Sequence, residues 1–150
     1  MLVLAAPLAA RDSLGVFGQW AAFRDDEVPR CYAIAAAQAN GAGSQGFASI
    51  GAWPDRQVRG QVHFRLSRAV DPRARVTLVV GGESFALTAA ARNAWAADAA
   101  GDAAIISAMR AATTMQVRGR DRAGRAFSDS YPLSGAATAI DAANVGCART

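Results

Sequence analysis

The chain contains no lysine, and all sixteen basic positions among its 150 residues are arginine. It has one histidine, His63, and two cysteines, Cys31 and Cys147. Each scarcity removes a class of chemistry. Metal sites draw several convergent ligands from His, Cys and carboxylates, and one histidine among scattered acids forms no such group. A Ser-His-Asp arrangement needs an identifiable histidine partner, which Ser128-Asp129-Ser130 lacks in sequence. Cys31 and Cys147 are too far apart for the Cys-x-x-Cys spacing of thiol redox enzymes. No apolar run is long enough to cross a bilayer. No metal or cofactor is therefore expected. The lack of lysine, beside an excess of Ala and Gly, reads as the composition of a GC-rich genome, so arginine alone is no signal for phosphate.

At this length one domain is expected, with a core made thin because the 52% hydrophobic content is largely alanine. The net charge of +4 permits attraction to anionic surfaces but is modest for a dedicated nucleic-acid binder, and nucleic acid is not an expected partner. Residues 1–10 are apolar, end in Ala9-Ala10 and meet Arg11-Asp12. This predicts the remnant of a secretory signal, cleaved near Ala10, with 11–150 as the mature domain. An even pair of cysteines in an exported chain reads as a disulfide, the other reading being two buried thiols. Cys31–Cys147 would close a loop of over 100 residues, for about 4 to 5 kcal/mol in the chain-entropy picture.

From Gly15 to Ala100 the pattern is short strands broken by turns. Strands are predicted over Phe17–Arg24, Cys31–Ala37 and Phe47–Trp53. Val58 to Ser67 alternates most clearly, with Val62, Phe64 and Leu66 against His63, Arg65 and Ser67. Val76–Val80 follows, Gly81-Gly82 is a two-residue hairpin turn, and Ser84–Thr88 returns. Asp102 can cap a helix through Ile105, Ile106 and Met109, with Arg110 near its C-terminal end. Thr113–Arg120, the turn Asp121–Gly124 and Arg125–Leu133 form a hairpin. Ser134 can then cap a last helix through Ile140 and Ala143. The fold class is mainly β, an antiparallel β-sandwich, immunoglobulin-like in general architecture, with two short helices in the C-terminal half.

The segment Asp102-Ala-Ala-Ile-Ile-Ser-Ala-Met-Arg110, the hairpin, then Leu133-Ser-Gly-Ala-Ala-Thr-Ala-Ile140, and upstream Phe17-Gly18-Gln19-Trp20 followed by Cys31, resemble the invasion-associated locus B family of bacterial exported proteins. The likeness spans most of residues 15–147. It implies a periplasmic or secreted envelope protein, in some pathogens linked to host invasion, with no catalytic site to carry over. Many members place a cysteine soon after the opening Trp, where this chain has Phe23 and Arg24, so the resemblance implies no disulfide pairing here.

Gly41-Ala-Gly-Ser-Gln-Gly46 matches the dinucleotide-binding glycine pattern, but that motif needs a strand before it and a helix after it. A mobile surface loop is the expectation. The acids Asp25, Asp26 and Glu27 read as a solvated turn. Trp20 is expected in the core, while Trp53 and Trp95 can mark a contact surface. His63 is expected on an outward strand face between Arg59 and Arg65, with Arg73 and Arg75 on the same face if that strand pairs with its successor. These five residues are the predicted partner surface. Planar guanidinium forks there would take carboxylates or phosphates of a protein or an anionic envelope polymer. The expected function is a non-catalytic binding protein of the cell envelope. A small periplasmic hydrolase or redox enzyme using His63 or the cysteines is the second reading.

Overall fold

The structure is a computed structural model that describes residues 11–148. The predicted signal remnant at 1–10 lies outside the described residues. Ten antiparallel strands form one hydrogen-bonded order. They are β1 (Asp12–Phe17), β2 (Trp20–Asp25), β3 (Arg30–Ala36), β4 (Phe47–Trp53), β5 (Val58–Arg65), β6 (Val76–Val80), β7 (Glu83–Ala90), β8 (Asn93–Trp95), β9 (Thr114–Arg120) and β10 (Ala126–Pro132). Two helices, α1 (Ala99–Ala111) and α2 (Ala136–Gly146), lie in the C-terminal half as expected. The spatial order is β1-β2-β3-β4-β5-β8-β7-β6-β9-β10. The mainly β, antiparallel fold is thus as the alternation implied, and both two-residue and glycine-containing hairpins fall where they were read.

Directly opposed residues of neighbouring strands share a face. Trp20, Ala35, Ala48 and Phe64 form one such row, and Ala22, Ala33, Ile50 and Val62 the next. All eight are buried. In the other half of the sheet Leu78, Val117 and Asp129 form a row, and Val80, Met115 and Tyr131 the next. The two halves meet in one core. Phe64 lies 6.0 Å from Tyr131 between ring centroids, and the Trp20 indole donates to the Pro132 carbonyl at 2.8 Å. The Gln38 amide donates to the Ser130 carbonyl at 2.9 Å, so the last strand returns beside the end of β3. The arrangement is sandwich-like, with continuity of pairing through β7, which joins β8 at one end and β6 along the rest.

The alanine of the composition has a positional meaning. Ala22, Ala33, Ala35 and Ala48 are buried where large side chains would hold α2 away from β2 and β3, and α2 presents Ala136, Ala139 and Ala143 in return. Cys31, on the same face, is bonded to Cys147 just past α2, with 5.8 Å between their α-carbons. The disulfide expected from the count of cysteines is present.

Several local expectations are corrected. The strand read over Phe17–Arg24 is two strands, because Gly18-Gln19 forms a turn and β1 precedes it. The cap of α1 is Asp98, whose carboxylate accepts from the Gly101 amide at 2.7 Å. Asp102 lies inside the first turn and its carboxylate accepts from the Val62 amide at 2.9 Å. That amide sits on the part of β5 beyond its short pairing with β8, so the helix supplies the acceptor that a neighbouring strand would have supplied. Gly135, not Ser134, is the N-cap of α2. Its φ of 88° favours glycine, and a β-carbon there would lie 1.9 Å from the Phe17 carbonyl oxygen.

Candidate functional site

One face of the β2–β5 sheet carries the core and α2. The other carries aromatic residues where alternation in a half-wet sheet would place polar ones. Phe23 opposes Tyr32, and Tyr32 opposes Gly51. Trp53, two residues beyond Gly51, packs against it: a β-carbon on Gly51 would be 2.7 Å from the indole ring. Phe23 and Tyr32 have ring centroids 5.6 Å apart. The Arg30 guanidinium stands 4.5 Å from the Tyr32 centroid and 5.8 Å from that of Trp53, within cation–π range. Tyr32 is only 5% exposed, and its hydroxyl and Arg30 Nε are buried without a hydrogen-bond partner. Buried polar groups normally find one.

Along the same face His63 lies between Phe47, 6.1 Å away and edge-on, and Trp95, 5.6 Å away. His63 Nε2 is 3.1 Å from Asn93 Oδ1, which also accepts from Arg65 at 3.4 Å. Phe23, Phe47, Trp53, His63, Arg65 and Trp95 are all half-buried. Trp53 and Trp95 therefore belong to one sheet face, and Trp20 is in the core.

The five-residue basic surface does not assemble as expected. His63 and Arg65 share the outward face. Arg59 does not follow them, because the register slips between Gly51 and Trp53 and two residues of β5 oppose one of β4. Arg59 instead lines a cleft of about 890 Å³ with Ala52, Val58, Asn144 and Cys147. Arg73 and Arg75 precede β6, and β5 pairs with β4 and β8 rather than with β6. Both are exposed beside the segment in which Val70 bridges Asp121, far along the sheet order from His63. The sequence reasoning missed Arg30, Tyr32, Phe23 and Gly51. Alternation of Arg30 and Tyr32 against Cys31, Ala33 and Ala35 was the available signal, with Gly51 two residues before Trp53.

The glycine-rich loop leads into β4 and not into a helix, which removes the dinucleotide reading. It is fastened at its base. Asn40 Nδ2 donates to the Ser128 carbonyl at 2.8 Å and to Asp129 at 2.9 Å, and Gln45 donates to the Ala37 carbonyl at 2.8 Å. Asp129, fully buried, also accepts from the Ser67 amide at 2.8 Å and the Ser67 hydroxyl at 2.5 Å. Ser128-Asp129-Ser130 is thus a structural tie between loops. Burial, and then the neighbouring Asp129 charge, push the ionisation of Tyr131 upward and keep its phenol neutral. Among the described residues no helix is long and apolar enough to cross a membrane.

A family model described as "Invasion associated locus B (IalB) protein" matches residues 20–144. No curated protein and no solved structure matches the chain. The matched span runs from Trp20 in β2 to Asn144 in α2, and so takes in both the aromatic face and the helix that the disulfide pins.

Proposed function

The chain belongs to the invasion-associated locus B family, and from that premise we propose that it is an exported, non-catalytic cell-envelope protein that holds its partner on the outward face of β2–β5. One observation carries the reading: half-buried aromatic rings and two arginines occupy the face opposite the core and α2. Rings and guanidiniums are the groups enriched at binding hot spots. The family and the Cys31–Cys147 bond are consistent with export. A role without catalysis fits the engagement of His63 with Asn93 and of both cysteines with each other.

Immobilised protein should recover a protein or polymer from envelope extracts at low salt. An Arg30→Glu/Arg65→Glu variant should recover less, and its recovery should vary less with salt, since charged contacts steer such binding. Equal recovery by both at two salt concentrations would overturn the reading. For export, N-terminal sequencing of material from the periplasm or medium should begin near residue 11, and an intact Met1 on folded cytoplasmic protein would contradict it.

A further inference from the structure

The outward face is not uniform, and one end of it is built for a narrower class of partner. Around Trp53 the sheet gives up a side chain at Gly51, where a β-carbon would lie 2.7 Å from the indole, and the ring packs there half-buried, with part of its surface open to solvent. Tyr32 stands beside it across the β3–β4 pairing, and the Arg30 guanidinium lies over Tyr32 at 4.5 Å and beside the Trp53 ring at 5.8 Å from its centroid. Asp25 opposes Arg30 across β2. Its carboxylate is turned into its own turn, accepting from the Glu27 and Val28 amides at 3.2 and 3.4 Å. Among the described residues Arg30 forms no ion pair. Its Nε and the almost fully buried Tyr32 hydroxyl are both without partners at the same spot.

A flat aromatic ring takes the C–H face of a pyranose, and a guanidinium fork beside it takes an anionic substituent in two parallel hydrogen bonds. A neutral sugar would leave the arginine unmatched, and a small inorganic anion would leave the indole unused. We propose that Arg30, Tyr32 and Trp53 form a binding site for an acidic polysaccharide, with sugar rings on Trp53 and their carboxylate or sulfate groups on Arg30. This rests on the outward face being the binding surface, and it names the site and the chemistry of its ligand. Arg59, Arg73 and Arg75 lie elsewhere and take no part, so recognition depends on one stacked arginine and not on the bulk positive charge.

The test uses the full exported chain and an oligomer of a uronic acid, with a neutral glucan oligomer of equal length and free uronate as comparisons. Wild type should bind the polyuronate, shift its tryptophan fluorescence on binding, and bind the neutral oligomer and the monosaccharide at least about tenfold more weakly. Arg30→Gln and Trp53→Ala should each weaken polyuronate binding about tenfold or more, whereas Arg59→Gln and Arg73→Gln should leave it unchanged. Gly51→Ala, which drives the indole off the sheet, should behave as Trp53→Ala does. If Gly51→Ala fails to fold by circular dichroism, Arg30→Gln decides, because its site is at the surface. Absence of polyuronate binding by wild type overturns the inference, as does equal loss with Arg59→Gln and Arg30→Gln. Recovery from envelope extracts of a protein partner that polyuronate does not displace would overturn it while leaving the broader reading standing.

Discussion

The two faces of the β2–β5 sheet are built to different rules. The inner face carries small residues over β2 and β3, with Ala22, Ala33, Ala35 and Ala48 beside Trp20, Ile50, Val62 and Phe64, and it is covered by α2 and covalently fixed at Cys31. The outer face is large and varied, with Phe23, Tyr32, Phe47, Trp53, His63 and Trp95, and it is fixed by no bond. A protein using aromatic residues for stability alone would place them inside, where burial returns the most. Here Trp20 and Phe64 are inside, alanine takes most of the inner positions of β2 and β3 so that α2 can come close, and the larger set of rings stands on the opposite face. If the outer face is the binding surface, as proposed, stability is set on one side of this sheet and partner contact on the other. Substitutions should then separate into those that move the melting temperature and those that move binding.

The largest separation is expected at the disulfide. Cys147→Ser should lower stability by up to about 4 to 5 kcal/mol, less whatever structure the reduced unfolded chain retains, and should lower the melting temperature steeply without removing the outer face. A non-reducing mass spectrum showing two alkylatable thiols in the exported protein would defeat this. Next comes the inner face. Ala33→Leu, which pushes a branched side chain into the row with Ala22 and Ile50, should cost about 1 to 3 kcal/mol by overpacking, as urea denaturation would measure. Tyr32→Phe, one position along and on the other face, should be close to neutral or slightly stabilising, because it removes a buried hydroxyl that has no partner.

An effect comparable to that of Ala33→Leu is expected at the latch between α1 and β5. Asp102→Ala should cost about 1 to 3 kcal/mol, since the Val62 amide loses its acceptor. Asp102→Asn keeps an acceptor and should cost less. Burial raises the pKa of Asp102 above its ordinary 3.8, opposed by the Val62 hydrogen bond. The sign follows. A raised carboxylate binds its proton more tightly folded than unfolded, so its contribution to stability grows as pH falls through the folded value toward 3.8. Wild type should gain on Asp102→Asn over that window, and a gap that is flat with pH, read from thermal melts between pH 4 and 7, would refute it.

Much of this was legible in the chain itself. The strand over Val58–Arg65 showed its alternation because its buried positions are large. The Gly81-Gly82 turn and the Asp121–Gly124 turn announced themselves by residue type, with Asp121 accepting from the Ala123 and Arg125 amides as such turns do. The two helices followed from apolar spacing. What stayed hidden depended on pairing. Gly18-Gln19 carried a turn signal that the apolar run around it masked. The bulge that separates Arg59 from His63 follows from strand register, which alternation alone does not fix. That β5 pairs with β8 and not β6 is a long-range choice, and it scattered the arginines that looked close in sequence. The aromatic face was obscured because alanine strands give weak contrast between their two sides.

The account stands or falls on which face the partner covers. Hydroxyl-radical footprinting of the exported protein, alone and with envelope extract, reads that directly through side-chain oxidation. Phe23, Trp53, Phe47 and Trp95 should be protected by the partner, while Val145, exposed at 76% on α2, should oxidise equally in both states. Protection of Val145 with no change at the four aromatic residues would place the partner on the α2 side of the molecule and contradict the account.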